Sequence, residues 1–273
     1  MQHEAILLAL IFTAAVLYSC VGHAGASGYT AILLLYGFAP ASIRPAVLIM
    51  NIFVAMVTSY RFIRAGYFDW RFFWPLALAS CPFAFWGGYL PVSPQALYIL
   101  VGITLFASSL RLLFELKEVE GNSKKPVTSL LLLVGGLLGL LAGLSGTGGG
   151  IFLTPLLLFA GWRKAKEAAA ISAMFILVNS ISGLAGNVVN MGMQFDSITW
   201  QWIVAALAGG LVGSELGARR LTPWWLKKVM AAVLLIASFH LITTKPKTKG
   251  KEPPLTRPKA AFASPPKIGR LLY

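Results

Sequence analysis

Long runs of apolar residues alternate with short polar or basic gaps along this chain of 273 residues. A run of about 20 apolar residues is long enough to cross a bilayer as an α-helix. Such runs occupy residues 5–22, 41–62, 72–91, 95–114, 128–146, 167–187, 198–218 and 224–243. The pattern predicts an all-α integral membrane protein with about eight spanning helices.

Two shorter apolar pieces, residues 28–39 and 150–161, follow glycine-rich breaks. The sharper break runs from Gly146 through Thr147, Gly148 and Gly149 to Gly150, and the helix is expected to resume at Ile151. Each glycine disfavours a helix by about 1 kcal/mol, so three in succession should unwind it. Unwound backbone at membrane depth is tolerated only where it is buried in protein or lines a cavity. We therefore expect two glycine-broken short segments inside the protein.

The only sizeable polar interior loop divides the chain into near-equal halves. We interpret residues 1–115 as a first transmembrane repeat, 116–127 as a polar connecting loop and 128–243 as a second transmembrane repeat. Residues 244–273 contain six prolines and eight Lys or Arg with little apolar content, which is typical of a disordered basic tail.

The two halves resemble each other at an offset of 121 residues. At this offset three glycines of the first half align with three of the second, and Asn51 aligns with Ser172. The glycine pairs are Gly22 with Gly143, Gly25 with Gly146, and Gly28 with Gly149. Asn51 and Ser172 then each lie 26 residues after the matching glycine. The matches in the same order predict an internal repeat.

Basic residues indicate how the repeats are oriented. If each broken segment enters and leaves by one face, each half crosses the membrane three times and the halves have inverted topology. The basic residues at 61–71, 117–125, 163–166 and 219–228 then share one face, and only Arg44 and the basic tail lie opposite. Because cytoplasmic loops are enriched in Lys and Arg, this pattern favours two inverted-topology repeats.

The second break is a candidate anion site. A helix that begins at Ile151 presents unpaired N–H groups and a positive dipole end at the break. The alternative is close helix packing by small residues, and that interpretation is preferred for the spaced glycines Gly135, Gly139 and Gly143. Three adjacent glycines favour a site.

The first-half counterpart is Gly25-Ala26-Ser27-Gly28 with Tyr29 after it and His23 before it. The candidate substrate-binding residues are Gly25, Ser27, Gly28, Tyr29, Asn51, Gly146, Thr147, Gly148, Gly149, Gly150, Ile151 and Ser172. His23 could carry a proton or contact the substrate, or it could be an internally satisfied histidine. Glu215 lies four residues before Arg219, a spacing that favours an ion pair at the membrane edge.

Composition excludes several classes of protein. Hydrophobic residues make up 57% and charged residues 12% of the chain, whereas a soluble domain carries about 25% charged residues. The net charge of +14 lies in loops and tail, so it does not indicate a nucleic-acid partner. The chain has no HExxH, phosphate-loop or paired intramembrane carboxylate motif, so we expect no enzyme activity, cofactor or metal. The N-terminus lacks a basic region, which favours a first membrane helix over a signal peptide.

Several segments resemble the sulfite exporter TauE/SafE family. In the second half these are GLSGTGGGIFLTPLLL and AAAISAMF, and in the first half GFAPASIRPAVLIMNIF and RFIRAGYFDWR. The resemblance covers about residues 1–243 and implies two related halves in the cytoplasmic membrane of a prokaryote. It also implies transport of sulfur-containing anions such as sulfite, sulfoacetate or other organosulfonates. The sequence GASGY, where many relatives carry a run of glycines, leaves the substrate preference open.

The sequence thus predicts a multi-pass secondary transporter of small anions. Its expected partners are a small anionic substrate, the lipid bilayer, and a coupling proton or cation. A passive anion channel and a membrane accessory protein that transports nothing are the alternatives.

Overall fold

The computed structural model describes residues 2–91 apart from residue 39, residues 126–219 apart from residues 192–196, and scattered positions at 93–110 and 235–239. Every regular element in this part of the chain is an α-helix. The continuous helices are α1 (Gln2–Cys20), α2 (Ala26–Leu35), α3 (Pro40–Arg64), α4 (Trp70–Tyr89), α5 (Thr128–Ser145), α6 (Gly150–Phe159), α7 (Ala165–Met191) and α8 (Ser197–Arg219).

Three of the described helices are long and apolar enough to cross a membrane: Ser42–Arg64, Thr128–Ser145 and Ala165–Asn190. Glu4–Cys20 and Ala26–Leu35 are shorter apolar helices. Helices α4 and α8 have 20 and 23 residues, but their Trp, Tyr, Pro and Gly residues lower their mean hydropathy, so they are not among these three. The expected spans at 95–114 and 224–243 fall mostly outside the described residues, as do the polar loop and the basic tail. The helical membrane architecture is confirmed, and the count of eight spans stays a prediction.

The same order of elements occurs twice. A long helix is followed by a helix of ten residues and then by two long helices, in α1–α4 and again in α5–α8. Each ten-residue helix follows a non-helical segment, which we call the first break (residues 21–25) and the second break (residues 146–149).

The breaks correspond at an offset of 124 residues. Gly22 and Gly25 have φ of +78° and +100°, and Gly146 and Gly149 have φ of +71° and +77°. Gly25 and Gly149 are both the residues that cap the following helix. The expected offset of 121 is therefore wrong at the breaks, because it would pair a helical Gly28 with a left-handed Gly149. At the offset of 124, Asn51 and Ser172 are not equivalent positions.

Glycines on α5 let this helix touch the backbone of α4. A Cβ placed on Gly135 would lie 2.5 Å from the carbonyl oxygen of Leu76, and one on Gly139 would lie 2.3 Å from that of Ser80. A Cβ on Gly143 would lie 2.2 Å from the carbonyl oxygen of Ala84. The packing interpretation of this glycine stripe is confirmed.

Helix α8 packs on α1 in the same way. A Cβ on Gly209, Gly213 or Gly217 would lie 2.1–2.3 Å from a backbone oxygen of α1. The first helix of each group of four thus packs on the last helix of the other group, through glycine and backbone.

Two of the basic loops lie at the same end of the helix bundle. Arg163 Nη2 lies 2.5 Å from a carboxylate oxygen of Asp69, and Lys166 Nζ donates to the hydroxyl of Tyr67 at 3.2 Å. Asp69 also accepts hydrogen bonds from the N–H groups of Arg71 and Phe72, which caps the start of α4. These contacts bring the loop before α4 to the loop before α7.

Candidate functional site

The first break is a tight loop that is buried against the second half of the chain. The Tyr29 hydroxyl donates to the carbonyl of Ala24 at 2.6 Å, and the N–H of His23 donates to the carbonyl of Tyr18 at 2.9 Å. A Cβ on Gly22 would lie 2.6 Å from the Cα of Ala169 on α7. Positive φ and this close approach together require glycine at position 22.

The second break is unwound, as the glycine run predicts. Gly146, Gly148 and Gly149 all have positive φ. The hydroxyls of Ser145, at the end of α5, and of Thr147, within the break, lie 2.7 Å apart. The helix resumes at Gly150, one residue earlier than expected. Its first turn, which includes Gly150 and Ile151, has N–H groups with no acceptor within the helix.

His23 joins the two breaks. Its Nε2 lies 3.0 Å from the carbonyl oxygen of Gly150 and 3.3 Å from the hydroxyl of Thr154, and its Nδ1 lies 3.1 Å from the carbonyl oxygen of Val21. A neutral imidazole has one N–H and can donate to only one of these carbonyls, whereas a protonated ring can donate to both. The bond from Nε2 to Gly150 links the first break to the start of α6, and a protonated ring would add a bond to Val21 within the first break.

Ser172 joins this polar cluster through Thr154. The Thr154 hydroxyl donates to the Ser172 hydroxyl at 2.6 Å, and both side chains are buried. Ser172 thus lies beside the start of α6, where the sequence predicts it. Thr154 was not among the predicted residues, although its position next to Pro155 in the short helix marks it as a polar residue at membrane depth.

Asn51 lies against the second break. Its Nδ2 donates to the carbonyl of Thr147 at 3.3 Å and to the hydroxyl of Ser180 at 3.4 Å, while its Oδ1 is buried with no hydrogen-bond partner. A Cβ on Gly148 would lie 2.8 Å from the Ser180 oxygen and 3.3 Å from Asn51 Nδ2. Asn179, one residue before Ser180, is fully buried and neither of its amide atoms has a partner.

Three of the predicted first-half residues are engaged in packing or in the helix itself. The N–H of Tyr29 donates to the carbonyl of Gly25 at 2.9 Å, so it is not available to an anion in this conformation. The hydroxyl of Ser27 donates to that of Tyr18, and a Cβ on Gly28 would lie 2.9 Å from the Tyr18 ring.

Gly149 faces helix α5 and not the Asn51 side of the break. A Cβ there would lie 2.9 Å from the Cβ of Ala142 and 3.2 Å from the carbonyl oxygen of Leu138. Together with its positive φ, this makes Gly149 a position of close packing. Gly148 is the glycine whose missing side chain faces polar groups.

Arg44 is the functional candidate that the sequence analysis missed. Its side chain is only 4% exposed, and its Nη2 donates to the carbonyls of Gly87, at 2.8 Å, and of Gly143. The charge pattern assigned it to the membrane flank opposite the basic loops. The available signal was a single arginine beside a proline inside an apolar run, with no acidic residue within four positions.

Comparison with known proteins identifies the family. The family model described as Sulfite exporter TauE/SafE matches residues 7–241. The chain belongs to this family. It is 32% identical to a probable membrane transporter protein of Sinorhizobium fredii over 247 residues, which is 89% of this chain and 100% of the relative. It is 23% identical to a probable membrane transporter protein of Methanocaldococcus jannaschii over 207 residues, covering 70% and 77% of the two chains. No solved structure matches significantly.

This TauE/SafE protein has a cavity of about 810 Å³ between α3 and α8. Its lining includes Tyr60, Arg61, Arg64, Leu211 and Glu215. Arg61 and Glu215 form an ion pair across it, with 29% and 36% of their side chains exposed. Glu215 is thus paired with α3, and the side chain of its expected partner Arg219 falls outside the described residues.

No group of three His, Cys, Asp or Glu side chains that could hold a metal ion occurs among the described residues of this TauE/SafE protein. Its polar interior consists of amides, hydroxyls, His23, Arg44 and backbone groups at the breaks. Groups of this kind bind and orient a small polar solute.

Proposed function

We propose that this protein is a secondary transporter of small anions across the cytoplasmic membrane of a prokaryote. Sulfur-containing anions, namely sulfite, sulfoacetate and other organosulfonates, are the first candidates as substrates. The family supports a membrane transporter, and the chemistry of the two breaks supports an anion.

The observation that carries the proposal is the meeting of the two breaks in the buried interior. His23 before α2 lies 3.0 Å from the first carbonyl of α6, although 127 residues separate them. Ten-residue helices that start inside a membrane protein direct unpaired N–H groups and a positive dipole end at their breaks. Discontinuous helices of this kind bind the anionic groups of substrates in transporters.

In the proposed site the anion binds to the N–H groups at Gly148–Ile151 and to the first turn of α2 near Ser27. Asn51 and Ser172 donate hydrogen bonds to its oxygens. In the present conformation Asn51 bonds to Thr147 and Ser180, and Ser172 accepts from Thr154. Asn51 exchanges its bonds for bonds to the anion when the anion binds, so its amide donor is paired in both states. Ser172 donates its own hydrogen to the anion and still accepts from Thr154.

The reciprocal packing of the halves supports alternating access between two inverted repeats. Helix α5 packs on α4 and α8 packs on α1, so equivalent first and last helices meet twice. A two-fold axis in the membrane plane relates such interfaces in transporters with inverted repeats. The cavity between α3 and α8, with Arg61 and Arg64 in its wall, then opens toward the basic, cytoplasmic face.

Flux measurements in proteoliposomes test the transport proposal. We expect uptake of radiolabelled sulfite or sulfoacetate, accelerated by unlabelled substrate on the opposite side. Uptake without such counterflow indicates a passive channel, and no flux of any anion indicates an accessory protein. Isothermal titration with sugars and alkali cations is the matched control, and binding of these with none of anions contradicts the substrate class.

Single-cysteine labelling tests the topology in a background lacking Cys20 and Cys81. Cysteines at Asn122 and Lys164 should react only from the cytoplasm, and one at Asn190 only from outside. Labelling of Asn122 and Lys164 from opposite faces would contradict the inverted arrangement.

A further inference from the structure

Arg44 is a buried cation held by backbone carbonyls. Its partners, the carbonyls of Gly87 and Gly143, belong to the last turns of α4 and α5. Carbonyls at helix C-termini carry the negative end of the helix dipole and accept bonds from arginine. Arg44 therefore joins the ends of two helices from different halves of the chain.

The side chain of Arg44 also lies directly against the second break. A Cβ placed on Gly146 would be 2.8 Å from Arg44 Cγ and 3.7 Å from its Nε. Gly146 has a φ of +71° and is the first residue after α5. A side chain at position 146 would clash with the stem of Arg44, so glycine here lets the arginine side chain pass against the break.

The charge of Arg44 has no carboxylate partner among the described residues. The ion pairs in this part of the chain join Arg61 to Glu215 and Arg163 to Asp69. The Nε atom of Arg44 is buried and has no acceptor. A buried charge without a counter-ion and a buried donor without an acceptor are each energetically costly.

We propose that Arg44 binds the charge of the transported anion at the second break, an inference that rests on the proposed function. Guanidinium offers two N–H groups in a planar fork that matches the spacing of oxygens in an oxyanion, and its Nε–H has no acceptor here. An anion at the fork of Nε and Nη2 takes the place of one of the two carbonyls to which Nη2 now donates. The ligand class is a small oxyanion with at least two oxygens on one atom, such as sulfite, a sulfonate or a carboxylate. When the site is empty, the carbonyls of Gly87 and Gly143 hold the guanidinium.

The competing account is that Arg44 only ties α4 to α5. Arg44→Gln distinguishes the anion-binding account from the purely structural one. Glutamine keeps an amide N–H that can reach a carbonyl, but it has neither the positive charge nor the planar pair of donors of a guanidinium. Arg44→Lys keeps the charge and loses the fork. Arg71→Gln, which removes an exposed cation in the first turn of α4, is the matched control for net charge.

The test is titration of purified protein with sodium sulfite, sodium ethanesulfonate and sodium chloride, by calorimetry and by thermal shift. We expect Arg44→Gln to weaken sulfite and ethanesulfonate binding at least tenfold, and Arg71→Gln to change it less than threefold. If Arg44→Gln fails to fold, Arg44→Lys decides, because it should lower the preference for sulfite over chloride at least tenfold.

Wild-type oxyanion affinity in Arg44→Gln, an unchanged sulfite-to-chloride preference in Arg44→Lys, or no oxyanion binding by the wild-type protein overturns the proposal. Parallel flux assays keep the two proposals separate. Anion binding that depends on Arg44 without any flux removes the transporter function and leaves the site in place. Flux in Arg44→Gln together with wild-type oxyanion affinity removes the Arg44 site and leaves the transporter function in place.

Discussion

Gly148→Ala is the sharpest test of the site that includes Asn51. A non-glycine residue in the left-handed region costs about 1–2 kcal/mol. The added methyl would also lie 2.8 Å from both Ile176 Cγ2 and Ser180 Oγ. Overpacking of this kind costs about 1–3 kcal/mol, so we expect a total loss of about 2–5 kcal/mol in the free energy of unfolding.

Gly161→Ala is the matched control. Gly161 has a φ of +64°, but a Cβ there would have no atom within 4 Å. The free energy of unfolding of Gly161→Ala should therefore fall only by the cost of the left-handed backbone conformation, about 1–2 kcal/mol. The difference between the two variants isolates the contacts of the methyl group with the site.

The assay combines chemical denaturation with anion flux normalised to folded, membrane-inserted protein. We expect Gly148→Ala to lose most of its flux per folded molecule, because its methyl group lies where Asn51 and Ser180 meet. Gly161→Ala should keep wild-type normalised flux. Equal stability losses in both variants, or wild-type normalised flux in Gly148→Ala, would refute the reasoning.

Two further predictions concern His23 and the glycine stripe of α5. Flux through His23→Gln should no longer respond to an imposed proton gradient, because glutamine keeps a hydrogen-bond donor but cannot bind a proton; an unchanged response would make His23 purely structural. Gly139→Ala should destabilise the protein, since its Cβ would lie 2.3 Å from the Ser80 oxygen, while Gly136→Ala, which meets only the Phe83 ring at 3.3 Å, should be near neutral in thermal denaturation. Equal effects of the two alanines would contradict this packing.

The second break was predictable from sequence because three adjacent glycines have few other uses. The first break was misplaced, since Gly28 is helical and packs on Tyr18 while Gly22, the other left-handed position, precedes the expected segment. A glycine is compatible both with positive φ and with close packing, and the sequence does not distinguish them. The offset of 121 between the halves failed for that reason.

Contacts between residues far apart in the sequence were the other feature that could not be predicted. The contact of His23 with Gly150 joins positions 127 residues apart, and that of Asn51 with Thr147 joins positions 96 apart. Arg44 was misjudged because a lone arginine near the end of an apolar run also fits a membrane flank. Only the positions of Gly87 and Gly143 around it reveal a buried cation.

The glycine contact between α1 and α8 has a consequence for biosynthesis. The backbone of Phe12 is covered by Gly209, which the ribosome reaches roughly 200 residues later. At about 5–20 residues per second, the first helix waits on the order of 10–40 s for its permanent neighbour. During that interval the face of α1 that packs on α8 is not yet covered by it, and α4 waits more briefly for α5. Assembly of the second half therefore completes the first, and neither half has its final helix contacts when it is made alone.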